Sequence, residues 1–153
     1  MQKDIENPSP RILAILGGLG TLVHVEHTAE LACHLCEGRR SRLVFVYPII
    51  VPLALPLDAA LPDQERDARD AMERGMYIAA QRGCDAEARV VRHRRAADAI
   101  LEVARAERFD KIVLGARFNL NVPHEYDIAE TVEAEILRHA KCEVIVDHES
   151  IAA

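Results

Sequence analysis

Short apolar runs alternate along the chain with longer stretches of helical spacing. Arg11 to Leu16 (RILAIL) is a continuous apolar run that stops at Gly17-Gly18, as a strand buried on both faces does. From about Val25 to Glu37, Ala29, Ala32, Cys33 and Cys36 fall on one helical face. A second buried strand is expected at Leu43 to Tyr47 (LVFVY). Pro48 to Pro62 (PIIVPLALPLDAALP) is apolar, but its prolines argue against both helix and central strand.

Asp63 to Arg82 reads as a long helix with Ala68, Met72, Gly75, Met76 and Ala79 on one face and Gly83 as its C-terminal cap. Ala86, Ala88 and Val90 alternate with polar residues in a third strand. Ala97, Ile100, Val103 and Ala104 mark a third helix. Lys111 to Leu114 is a fourth buried strand ending at Gly115. The loop Ala116 to Tyr126 then leads to a helix carrying Ile128, Val132, Ile136 and Ala140, and Val144 to Val146 is the last strand. This βαβαβαβαβ order predicts an α/β fold: a doubly wound, five-stranded, mainly parallel sheet with helices on both faces, of Rossmann-like type. Ligands of such folds sit beyond the carboxyl ends of the strands, where the strand order reverses. That places the candidate site at Gly17 to Thr21, the start of the proline segment, Arg92 to Arg95, and Gly115 to Arg117.

At 153 residues the chain predicts a single domain over 1–153, with residues 1–10 a flexible N-terminus. The absence of Trp and the 4% aromatic content call for an aliphatic, alanine-rich core. A net charge of -6 argues against sequence-independent nucleic-acid binding, which needs clustered excess cations. Four cysteines without an apolar leader point to free thiols in a reducing cytoplasm. The apolar run between Arg42 and Asp58 is shorter than the ~20 residues of a membrane helix and is broken by Pro48, Pro52 and Pro56, so no membrane span is expected.

Several stretches together resemble the universal stress protein family: "FDKIVLGAR" (Phe109 to Arg117), "TVEAEILRHAKCEVIV" (Thr131 to Val146), and "RILAIL" where the family's first strand stands. In members that bind ATP, an Asp ends the first strand and reads adenine. A Gly-x2-Gly-x9-Gly-Ser/Thr motif after the fourth strand holds phosphates and ribose. In this chain the Asp position falls on Gly17. Gly115 matches the first glycine, the second falls on Phe118, and the last pair falls on Glu130-Thr131 in a loop two residues longer than the motif. The resemblance also implies a homodimer through the last strand, Glu143 to Asp147, expected to be a sheet edge.

The residue chemistry agrees with the broken motif. Asp127 and Glu130 have capping-box spacing and would occupy the free N–H groups of the fourth helix. Glu125, Asp127 and Glu130 would then stand where phosphates would sit, each like-charge contact at ~4 Å costing about 1–4 kcal/mol. Against this, Arg92-His93-Arg94-Arg95 and Arg117 supply cations, and Gly17 to Thr21 could present N–H groups to an anion. The plainer reading is a solvated arginine surface.

The candidate binding residues are Gly17, Gly18, Val46, Arg92, Gly115, Arg117 and Thr131. No catalytic set is found: there is no Walker A sequence, no dinucleotide fingerprint and no Gly-x-Ser-x-Gly elbow. Cys33-His-Leu-Cys36 lies late in a helix and reads as core packing, and a zinc site with His24, His27 and His34 is the lesser reading, so no metal is expected.

Ile49, Ile50, Val51, Leu53, Leu55, Leu57 and Leu61 must either cover the cleft, the favoured reading, or dock a partner. The chain therefore reads as a non-enzymatic binding or signalling module with a degenerate nucleotide site, acting by protein contact or small-anion binding. It holds no firm cofactor. The alternative is an ATP- or AMP-binding member with little or slow hydrolysis.

Overall fold

The computed structural model describes residues 9–17, 22–36, 40–119 and 132–151, and side chains over 9–17, 25–36, 40–115 and 132–147. Nine elements alternate: β1 (Arg11–Ile15), α1 (Leu22–Cys36), β2 (Arg42–Ile50), α2 (Pro62–Gln81), β3 (Ala86–His93), α3 (Ala96–Ala106), β4 (Lys111–Asn119), α4 (Val132–His139) and β5 (Glu143–Ile151). The strands form one sheet in the order β3-β2-β1-β4-β5, and every adjacent pair is parallel. The chain winds outward from β1 to β3, then returns to the other side of β1, so the strand order reverses between β1 and β4.

Alternation along the strands divides the core. Ile12, Ala14, Leu16, Leu43, Phe45 and Val113 pack with Ala29, Ala32 and Cys33 of α1 and Ala71, Met72 and Ala79 of α2. Their neighbours Leu13, Ile15, Val44, Val46, Ile112 and Leu114 face Ala97, Ile100 and Ala104 of α3 and Ile136 of α4. The doubly wound expectation is met, with an all-parallel sheet.

Three strands run past their expected ends. β2 continues through Pro48 to Ile50. Val46 accepts a bond from the Leu16 N–H and therefore faces β1. Pro48, two residues on, faces the same side beyond the last residue of β1, so its missing N–H breaks no ladder. β4 and β5 also continue together, from Lys111↔Glu143 to Asn119↔Ile151, so Gly115 does not end its strand. In β4 and β5 the continuous apolar run stops short of the strand end.

Helix ends follow local chemistry. Pro62 opens α2, with Asp63 and Glu65 in the first turn where the helix dipole favours acids. Gly83 follows α2 in the left-handed region at φ 68. Arg108 holds the corresponding conformation after α3 at φ 53, where a side chain costs roughly 1–2 kcal/mol relative to right-handed backbone. Glu107, between them, accepts bonds from Arg89 and from Arg42 at 3.0 Å, and these hold its carboxyl below the ordinary range despite burial. The end of α3 is thereby tied to β2 and β3.

At Gly75 α2 packs closely on the sheet. A Cβ there would lie 2.5 Å from Leu16 Cδ1 and 3.3 Å from Phe45 Cδ2, both side chains being buried. Alanine would gain about 1 kcal/mol of helix propensity, while overpacking costs about 1–3 kcal/mol. Gly75→Ala is therefore expected to lower the urea midpoint. A raised midpoint would show that the α2 contact can expand freely.

Candidate functional site

The segment between β2 and α2 forms a strap over the carboxyl ends of β2 and β3. Val51 N–H donates to the His93 carbonyl at 2.9 Å and so extends the ladder by one bond. Two turns follow, each opened by proline: Leu55 N–H bonds Pro52 O and Ala59 N–H bonds Pro56 O, both at 3.0 Å. A strap of this kind leaves carbonyls without a ladder, to be met by water or by side-chain donors. Two arginines, two residues apart on β3 and the turn that follows it, supply them. Arg92 Nη1 donates to Leu57 O (3.1 Å) and Ala59 O (2.8 Å), while its Nη2 meets Glu65 at 2.7 Å. Arg94 Nη1 donates to Pro52 O (2.5 Å) and Leu55 O (2.7 Å), with Val51 O at 3.4 Å.

The clamp decides which apolar residues face water. Ile49 and Val51 are buried against Ala68, with Leu61 packed on them. Leu53, Leu55 and Leu57 point outward, and Leu53 is 87% exposed. The expected cover holds only for the start of the segment: Pro48 and Ile50 line the cleft at the strand ends, while Leu53, Leu55 and Leu57 do not fold over it.

A cleft of about 370 Å³ opens at the strand ends, with Gly17, Pro48, Ile50, Arg94, Ala97 and Glu135 among its walls. Arg95 also lines it but pairs with Glu135 at 2.6 Å and with Asp98 at 3.1 Å. His93 Nδ1 accepts the Arg95 N–H at 3.0 Å, which leaves its Nε2 to donate to Glu102 at 3.3 Å. Among the described residues, no carboxylate pairs with Arg94.

The sequence-derived residues are distributed unevenly around this cleft. Gly17 lines it, and a Cβ there would lie 2.2 Å from Tyr47 Cδ2, so the ring closes the position to any side chain. Tyr47 was not anticipated, and only the bulk of the residue ending the LVFVY run hinted at it. Val46 is fully buried, with its carbonyl bonded to Leu16. Arg92 lies outside the cleft on the strap carbonyls. Gly115 is buried and registers with Asp147. Arg117 is a β4 residue opposite Glu149, and its side chain lies outside the described residues, as do Gly18, Thr131 and the expected Asp127–Glu130 capping box.

Cys33 and Cys36 are buried in the core, and Cys84 Sγ lies 3.6 Å from the Cys33 carbonyl. Burial first, then contact with Cys84, pushes the Cys33 thiol up to about 12. All four cysteines are free, and among the described residues no group of three His, Cys, Asp or Glu could hold a metal ion. No described helix is long and apolar enough to cross a membrane.

A family model described as the universal stress protein family matches residues 14–148. No curated protein matches the sequence. Among solved structures, a universal stress protein from Archaeoglobus fulgidus in complex with dAMP is 15% identical, with a TM-score of 0.66, and the match covers 90% of this chain and 96% of that one. UspA from Lactobacillus plantarum is 19% identical, with a TM-score of 0.58 and coverage of 92% and 99%. A family protein from Arabidopsis thaliana with AMP bound is 16% identical, with a TM-score of 0.55 and coverage of 90% and 92%. At these identities the likeness is one of fold.

Arg94→Ala should remove a donor from three strap carbonyls, of which Pro52 O keeps the Leu55 N–H, and destabilise the protein by about 1 kcal/mol. Limited proteolysis should then cut within 52–58, and equal resistance of variant and parent would show that the clamp is not what orders the strap. The Cys33 thiol binds its proton more tightly folded than unfolded, so stability should fall as pH rises beyond the ordinary thiol value of 9.0. Urea midpoints across that range should decline less steeply in Cys33→Ala, and identical slopes would refute the assignment.

Proposed function

The chain belongs to the universal stress protein family, and from that premise we propose that it is a binding module rather than an enzyme, with a degenerate nucleotide site and a docking surface for a protein partner on the strap. The observation that carries this reading is the double clamp. Arg92 and Arg94 stand where a nucleotide-binding fold could meet phosphates, and both are engaged in presenting Leu53, Leu55 and Leu57. Apolar side chains on a pre-ordered backbone lose little conformational entropy on binding, which suits a docking surface.

Two further features support a degenerate site. The family's adenine-reading Asp would have to occupy Gly17, where Tyr47 leaves no room for a Cβ. Arg95, the remaining cation of this stretch, is paired with Glu135 and Asp98. The homodimer contact is assigned to Glu143 to Asp147 because β5 stands at one edge of the sheet, and an unpaired edge invites pairing with a second copy. The four free cysteines fit work in a reducing cytoplasm.

A second reading, AMP or ATP binding, is favoured by one observation. Arg94 lines a cleft of about 370 Å³ and is held there by neutral carbonyls, so its charge is still available to a phosphate. The bound dAMP and AMP of two similar structures lend this reading its candidate ligands.

Titration calorimetry separates the two. Neither AMP nor magnesium ATP should bind saturably at micromolar concentration, whereas micromolar affinity for either would replace the first reading with the second. Phe118→Gly combined with Glu130→Gly, which restores glycine at two positions of the resembled motif, should raise AMP affinity.

A further inference from the structure

A groove of about 750 Å³ lies at the opposite end of the sheet, between the C-terminal ends of α3 and α4. Its floor is apolar, with Ala104, Phe109 and Ile112 all buried and Leu101 beside them. Its rim carries Arg105, Arg108, His139 and Lys141. In a chain with a net charge of -6, Arg42, Arg66, Arg74, Arg89, Arg92 and Arg95 pair with carboxylates. Arg105, Arg108 and Lys141 do not, among the described residues. The one acid lining the groove, Asp110, already accepts the Arg11 N–H at 2.8 Å.

Helix dipoles account for part of this rim. Arg105 and His139 stand in the last turns of α3 and α4, where cations are favourable. Arg108 and Lys141 lie beyond the helices and need another reason. Arg108 also holds a left-handed backbone, at φ 53, in the position where glycine is the usual residue. A strained residue whose side chain lines a groove and pairs with no acid points to a bound partner of that side chain.

Charge and shape together narrow the ligand. Of the charges lining the groove, Arg105, Arg108 and Lys141 act against Asp110 and two helix ends of roughly half a negative charge each, which leaves about one positive charge, with the Arg11 guanidinium a further cation 5.8 Å from the Phe109 ring centroid. The groove falls in the range of small-molecule sites and is too large for a lone inorganic anion. We propose that this groove binds an amphiphilic monoanion of the fatty-carboxylate class, its headgroup between Arg105, Arg108 and Lys141 and its chain along Leu101, Phe109 and Ile112. The site is at the far end of the sheet from the nucleotide cleft and does not depend on the function proposed for the strap.

Arg108→Gly provides the test because glycine suits the backbone there and removes the guanidinium. Titration calorimetry on the full chain would use sodium decanoate, neutral decanol and inorganic phosphate. Decanoate should bind saturably in the micromolar to low millimolar range, decanol far more weakly, and phosphate should not compete. Arg108→Gly should weaken decanoate about tenfold while raising Tm, and adding Lys141→Ala should abolish the binding. The proposal is overturned by absence of saturable decanoate binding, by decanol binding as well as decanoate, by phosphate competing at comparable concentration, or by unchanged affinity in Arg108→Gly.

Discussion

Five backbone carbonyls of the connection after β2 are met by two guanidinium groups at the end of β3, and much of the molecule's upper surface follows from that contact. The carbonyls of Val51, Pro52, Leu55, Leu57 and Ala59 have no ladder to join. Those of Val51 and Ala59 are partly buried, where an unmet carbonyl costs on the order of 1–3 kcal/mol, while those of Pro52, Leu55 and Leu57 face water and lose less. Arg92 and Arg94 can serve them because the guanidinium group offers several donors in a fixed plane. Once the strap is held, its leucines face outward, the cleft keeps an Arg94 wall, and Arg92 is no longer available to a ligand.

Legibility in the sequence followed burial. RILAIL, LVFVY and KIVL each lie where helices cover both faces of the sheet, and there an apolar run is sufficient evidence of a strand. The polar stretches Ala116 to Asn119 and Asp147 to Ile151 are strand as well, but they pair only with one another past the end of β1, so no apolar pattern marks them. Pro48 misled for a related reason: proline excludes a central strand only where a ladder bond is required, and here the neighbouring strand has ended. The arginine run was visible as charge, but its partners were not. A search for cations near proline-rich turns would have found them, since carbonyls freed from regular structure need donors.

The contrast between the two ends of the sheet is electrostatic. Both ends carry arginines within an acidic chain. At the carboxyl end they are tied to carbonyls or to Glu65, Glu135 and Asp98. At the amino end Glu107 draws in Arg42 and Arg89, while Arg105, Arg108 and Lys141 surround an apolar floor without acids of their own. An unpaired charge beside an apolar surface interacts more strongly with a ligand than one facing open water, because less solvent screens it.

Tyr47 connects these features to the altered nucleotide site. Tyr47 packs against the α1/α2 core and also against the Ile49, Val51 and Ala68 cluster beneath the strap. Only glycine fits at position 17 beside its ring, because a Cβ would collide with it. An Asp at position 17 would therefore have to displace Tyr47, and displacing Tyr47 would loosen the packing under the strap that Arg92 and Arg94 hold from the other side. The missing acid, the tyrosine and the clamped strap form one packing solution, which a single substitution toward the family pattern would disrupt rather than repair.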